Sequence, residues 1–161
     1  ITTTRRVGLV ATEGTIHSNS YPLEVAKLFP DIEVFGQACP MWVPLIESNE
    51  HHTPGADYFV HKYINNLFDN HANIDTLILG CTHYPFLEPV IGKIASQEVS
   101  IINPAPAIAL QTKRVLDSLE SRKSPSSQCL FYSTGDTSVM RSMVSKIVPS
   151  VPEQAFLTVK A

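Results

Sequence analysis

With 161 residues, 43% of them hydrophobic and 17% charged, the chain has apolar material for one core, or for one domain and part of a second. The formal charge of −3 leaves no electrostatic footprint for nucleic acid, and no basic run of five or more residues is present. The longest apolar runs are strand-sized, well short of the roughly 20 residues that cross a bilayer, and the first residues lack a signal-peptide pattern, so a cytoplasmic location is expected.

In chain order the pattern alternates between strand-like and helix-like segments. Arg6 to Ala11 is a short apolar run ended by Thr12-Glu13-Gly14-Thr15, a loop able to open a helix. A helix is expected from Ser20, as N-cap, through Phe29, and a second short strand from Glu33 to Gly36, ended by Ala38-Cys39-Pro40. Phe59, Val60, Tyr63, Ile64, Leu67 and Phe68 form a 3.6-period stripe over Tyr58 to Asn70. Thr76-Leu77-Ile78-Leu79-Gly80 is the clearest buried strand, an unbroken apolar run of the kind found in parallel sheets covered on both faces. Phe86 to Ile94 reads as a helix, Val99 to Ile102 as a strand, Ala105 to Leu119 as a helix and Glu120 to Gln128 as a polar loop. Cys129 to Ser133 (strand), Asp136 to Ile147 (helix) and Phe156 to Val159 (strand) complete the chain. The order predicts an α/β fold with a doubly wound, mostly parallel sheet. Ligands of such sheets sit outside the carboxyl ends of the strands, where Cys81, Thr82 and His83 follow Gly80.

Three cysteines, Cys39, Cys81 and Cys129, are too few and too scattered for a disulfide framework, and none has metal-ligand spacing with a partner. A cysteine at a strand-to-helix turn can meet the amino end of the next helix, whose free N–H groups and dipole favour a thiolate. His83 can donate to that thiolate or take its proton, and Thr82 offers a hydroxyl and an N–H to a carboxylate. Spacing alone reads equally well with Cys81 as a small buried hydrophobe and His83 as a satisfied surface histidine.

Leu79-Gly80-Cys81-Thr82-His83-Tyr84-Pro85 resembles the second-cysteine signature of glutamate racemases. Ala11-Thr12-Glu13-Gly14-Thr15-Ile16 with Ser18-Asn19-Ser20-Tyr21 resembles the segment opening that family's second domain, and Ala38-Cys39-Pro40-Met41-Trp42-Val43-Pro44-Leu45-Ile46-Glu47 resembles a third segment in the same order. The resemblance runs from about Val7 to about Asn103. It implies interconversion of L- and D-glutamate by two opposed cysteines, without a metal or any other cofactor. One thiolate would remove the α-proton and the other thiol would return one from the opposite face, supplying D-glutamate for peptidoglycan. It further implies that Cys81 is the second catalytic thiol, assisted by His83, which Glu47 supports. Thr82, His83 and Thr15 would contact the substrate, and the whole enzyme would be a homo-oligomer, a dimer. The fold it implies is the second domain of a pseudo-symmetric pair over residues 1–102, with residues 103–161 returning to complete the first.

The departures are as informative. The glycine-rich Asp-Ser segment and the Cys-Asn-Thr cysteine of the family's first half are absent from these residues, so the chain alone is expected to be inactive. Cys39 and Cys129 are expected in the core. Asn103-Pro104-Ala105-Pro106 differs from the family's more acidic, glycine-containing turn, and Ile108, Leu110, Val115 and Leu119 would be left exposed without the first half. Glu50-His51-His52, with His61 and His71, is read as solvated histidines rather than a metal cluster. Thr134-Gly135-Asp136 is read as a helix cap by Asp136 or Thr137 rather than a phosphate turn. Gly14 and Gly80 form no dinucleotide fingerprint. The alternatives are a racemase or decarboxylase of another substrate in the same superfamily, and a binding module that kept the fold without the chemistry.

Overall fold

Arg6–Ala11 (β1) is buried from Val7 onward, as its apolar run requires, and takes a parallel partner on each side. Glu33–Ala38 (β2) lies on one side with Val7 opposite Val34, and Thr76–Leu79 (β3) on the other with Val7 opposite Thr76. Ser100–Ile102 (β4) joins beyond β3, giving the all-parallel order β2-β1-β3-β4. The computed structural model describes residues 2–119 and 129–160, so the expected polar loop 120–128 lies outside the described residues.

Right-handed crossovers decide which face each helix covers. The connection from β1 to β2 holds Glu13–His17 (α1) and Ser20–Leu28 (α2) and runs one way along the sheet. The connections from β2 to β3 and from β3 to β4 run the other way. They carry Trp42–Glu47 (α3), Pro54–Asn70 (α4) and Glu88–Ile94 (α5), placing these on the opposite face. The sheet is therefore doubly wound. Its two glycines facing helices are close approaches: a Cβ on Gly8 would lie 2.9 Å from Leu67 of α4, and one on Gly36 would lie 3.0 Å from Ile16 of α1.

The core lies chiefly between the sheet and α4. Thr53 caps α4 by accepting from the Ala56 N–H, Pro54 occupies its first turn, and Ala56, Val60, Tyr63, Ile64 and Leu67 form its buried stripe. Burying Val60, Ile64 and Leu67 stabilises by about 1.5–3 kcal/mol each. The helix starts four residues before the expected Tyr58 because capping and proline geometry hold its first turn. Three other expectations need correction. Ser20 is the first helical residue, and Asn19, at φ 52°, is the N-cap. The helix expected from Phe86 opens instead as a 3-10 turn over Tyr84–Leu87, with α5 following. The α3 helix was not anticipated, because six residues containing Pro44 show no period.

These elements lie in the first of two compact units, Ile1–Thr112; the second is Lys113–Ala161. Ala105–Ser118 (α6) spans the boundary between them. In the second unit Phe131–Ser133 (β5) pairs in parallel with Phe156–Thr158 (β6), and Phe131 stacks on Phe156 at 5.0 Å. Ser138–Ile147 (α7) starts two residues later than expected, with Thr137 as its N-cap; the Asp136 carboxylate accepts from the Ser138 hydroxyl and from the Ser138 N–H at 2.9 Å, and these bonds hold its pKa below the usual carboxylate range. Cys129 is exposed rather than in the core, because the strand it was expected to begin starts only at Phe131. Ile108 and Leu110 in the first unit and Val115 and Leu119 in the second are exposed as anticipated; Leu116 and Ile147 in the second are exposed too. Among the described residues, no helix is long and apolar enough to cross a membrane.

Candidate active site

In a β2-β1-β3-β4 sheet the chain leaves β1 toward one edge and β3 toward the other. The two connections diverge and open a crevice at the carboxyl ends of these strands. Thr12 and Thr15 follow β1, Cys81 to His83 follow β3, and Glu47 ends the helix after β2. Residues far apart in sequence therefore share one end of the sheet.

Gly80 sets how closely β3 runs into this end. Its N–H donates to the Val10 carbonyl at 2.8 Å, and a Cβ there would lie 2.7 Å from Leu9 Cδ1 and 3.1 Å from the Val10 oxygen. The next three residues turn away from the sheet, with the Tyr84 N–H donating to the Cys81 carbonyl at 3.1 Å. In this turn Cys81 Sγ lies 3.8 Å from His83 Nδ1, and His83 Nε2 lies 3.2 Å from Glu47 Oε1. A proton on Nε2 pointing to Glu47 would leave Nδ1 as the acceptor for the thiol. The His83 and Glu47 side chains are 28% and 40% exposed. A pair this open contributes only about 0–1 kcal/mol to stability.

The other expected residues occupy the same end of the sheet without joining that chain of contacts. Thr82 is exposed in the turn between Cys81 and His83. Thr15, in α1, pairs hydroxyl to hydroxyl at 3.0 Å with Thr12, the N-cap of that helix. Cys39 is buried, its thiol donating to the Gln37 carbonyl at 3.5 Å, and burial pushes its pKa far up, so it stays a neutral thiol. His51 is a correction: it is buried, its ring 4.0 Å from that of His52 at a tilt of 47° and edge-on to Phe86 at 5.8 Å, because the loop after α3 folds inward over the 3-10 turn. Among the described residues, no group of three or more histidines, cysteines, aspartates or glutamates could hold a metal ion. Sequence reasoning passed over Trp42 and Tyr84, both fully buried with rings 4.7 Å apart; aromatic residues beside proline gave no periodic signal. A mostly apolar cleft of about 480 Å³ between α2 and the sheet is lined by none of the candidate site residues.

No family model matches the chain. The glutamate racemase of Desulforudis audaxviator is 46% identical over 107 residues, covering 66% of this chain and 38% of that protein. That of Oceanobacillus iheyensis is 38% identical over 140 residues, covering 86% of this chain and 51% of the relative. The chain belongs to the glutamate racemase family. Solved members show the same fold: the glutamate racemase of Francisella tularensis, crystallised in complex with D-glutamate, matches with a TM-score of 0.82 at 28% identity, over 98% of this chain and 57% of that one. A Bacillus anthracis glutamate racemase matches with a TM-score of 0.82 at 27% identity, over 100% of this chain and 59% of the other. The chain spans about half the length of the curated relatives it matches, which fits a C-terminal portion of a glutamate racemase.

Proposed function

We propose that Cys81 is one of two thiols that interconvert L- and D-glutamate without a cofactor. The observation that carries this reading is the Cys81–His83–Glu47 chain, 3.8 Å and 3.2 Å long, at the crevice of a sheet whose solved relatives include one holding D-glutamate. An amino-acid α-carbon holds its proton tightly, so the carbanion-like transition state needs donors around the substrate carboxylate and a base of matched basicity. Here Cys81 exchanges a proton with the α-carbon, His83 takes or returns the thiol proton, and Glu47 keeps the imidazole in the accepting tautomer. In this reading Thr82 and Thr15 donate to substrate oxygens. Cys39, held neutral by burial, does not serve as the second base, and neither it nor Cys129 stands in the Cys-Asn-Thr context that the family resemblance gives the first thiol. The second thiol therefore comes from outside these 161 residues, and the chain alone does not racemise.

In the whole enzyme, read as a cytoplasmic dimer, this activity supplies D-glutamate for peptidoglycan. The test is deuterium exchange at the α-carbon of L- and D-glutamate in heavy water. It compares the chain alone, a fusion placing the N-terminal half of the Oceanobacillus iheyensis relative before it, and the same fusion with Cys81→Ser. The chain alone should exchange neither enantiomer, the fusion both, and the Cys81→Ser fusion should lose two-way turnover. A Cys81→Ser fusion as fast as its parent, or a folded fusion that exchanges neither enantiomer, removes Cys81 from this role.

A further inference from the structure

The His83–Glu47 pair joins segments 36 residues apart, yet it is too open to hold them together by itself. Beneath it lies a second junction that is buried. The Cys39 carbonyl accepts two hydrogen bonds there. One comes at 3.2 Å from the N–H of Trp42, the first residue of α3; the other comes at 3.2 Å from the hydroxyl of Tyr84, the first residue of the 3-10 turn. The Trp42 and Tyr84 rings meet at 4.7 Å and 75°, an edge-to-face contact with both side chains fully buried. Cys39 is itself fixed, its N–H donating to the Ala11 carbonyl at 2.9 Å. Tyr84 directly follows His83, and Trp42 lies on the same short helix as Glu47. The buried junction thus sets the spacing of the two segments that the exposed pair spans.

We infer that Tyr84 is a positioning residue for the site: its hydroxyl, anchored on the Cys39 carbonyl, holds the Cys81-Thr82-His83 turn against α3 so that one imidazole reaches both the thiol and the carboxylate. This rests on the reading of Cys81 and His83 given above. Packing alone would be served as well by phenylalanine. A hydroxyl taken fully out of water must find an acceptor, and the acceptor it finds is the carbonyl from which the Glu47-bearing helix starts. Burial pushes the Tyr84 pKa up, so the hydroxyl remains a donor wherever the protein is folded. His83 Nε2 reaches Glu47 across the two segments at 3.2 Å with both side chains part-exposed, so a shift of the turn against α3 by a fraction of an ångström loosens that contact and frees the imidazole to turn away from Cys81.

The test is alkylation by iodoacetamide of the 161-residue chain from pH 5 to 9, resolved site by site by mass spectrometry, with exposed Cys129 as internal reference. Imidazole NMR signals of His83 are recorded alongside. His83→Gln should slow Cys81 at pH 7 and change its pH profile. Tyr84→Phe, still folded by circular dichroism, should move the Cys81 rate toward that of His83→Gln by about fivefold, the weight of one buried hydrogen bond, shift the His83 signals and leave Cys129 unchanged. A folded Tyr84→Phe with the parent's Cys81 profile and His83 signals overturns the positioning role while leaving the reading of Cys81 and His83 intact. A His83→Gln variant without effect on Cys81 overturns that reading, and this inference with it. Should Tyr84→Phe not fold, Trp42→Phe, which loosens the same junction while keeping an aromatic ring, decides by the same two readouts.

Discussion

Replacing Gly80 with alanine probes the fit between β3 and β1 at the point where the site begins. The added Cβ would sit 2.7 Å from Leu9 Cδ1, 3.1 Å from the Ala11 Cβ and 3.1 Å from the Val10 carbonyl oxygen, all well inside ordinary contact. None of these can yield cheaply: Leu9 is 1% exposed and Ala11 fully buried, and the Val10 oxygen accepts the Gly80 N–H. Overpacking of this kind costs about 1–3 kcal/mol. Gly80 is not at positive φ, so alanine strains no backbone and recovers about 0.4–1 kcal/mol by stiffening the unfolded chain. The net expectation is a loss of about 1–2 kcal/mol, a fall in Tm of about 5–10 °C for a unit of this size. Urea unfolding should show a lower midpoint with an unchanged slope. Gly14→Ala is the control, since nothing lies within 4 Å of its Cβ position in α1; it should be neutral or raise stability by up to about 1 kcal/mol. If Gly80→Ala matches the parent in midpoint while Gly14→Ala behaves as expected, the close approach of β3 to β1 is not what places Cys81.

Two further outcomes follow from single side chains. Burial pulls the Asp75 carboxyl upward in pKa, but hydrogen bonds from the Thr2 and Thr3 hydroxyls and the Thr3 and Thr4 N–H groups prevail and hold it well below the usual carboxylate range. Its contribution is thus fully present above about pH 4, the unfolded value, and is lost as pH falls further. Asp75→Asn should lower the urea midpoint at pH 7 by the equivalent of about 1–2 kcal/mol and flatten its decline between pH 4 and pH 2.5; a variant as acid-sensitive as the parent would sink the assignment. Because burial holds Cys39 protonated, native protein at pH 8 should be alkylated at Cys129 and Cys81 but not at Cys39 until urea is added; early modification of Cys39 would show that the loop after β2 opens.

What could be read from the residues alone divides by physical range. Thr76–Leu79 and Arg6–Ala11 were plain as strands because strands buried on both faces leave unbroken apolar runs, and α4 was plain from its stripe. Cys81 and His83 were found because a tight turn keeps them two residues apart, so their contact is local. Glu47 came only through resemblance, since nothing in its neighbourhood marks it as a partner for an imidazole 36 residues away. His51 was misread because burial of a histidine in a polar loop depends on Phe86, which arrives from another segment. Tyr84 and Trp42 were missed for the same reason: their significance lies in a shared acceptor, the Cys39 carbonyl, and a shared acceptor leaves no trace in spacing.

The same division bears on where catalytic precision resides. The three groups in contact, Cys81, His83 and Glu47, are each partly exposed and joined by one long and one weak contact, so by themselves they would sample many arrangements. What restricts them is unreactive: a glycine that lets β3 run close to β1, a carbonyl that takes two donors, and two aromatic rings packed edge to face. In the proposed reaction, taking a proton from a carbon acid demands close alignment, and rigid, desolvated groups supply it at less entropic cost than the side chains proposed to react could. Substitutions at Gly80 or Tyr84 should therefore change Cys81 chemistry more than their distance from any substrate would suggest.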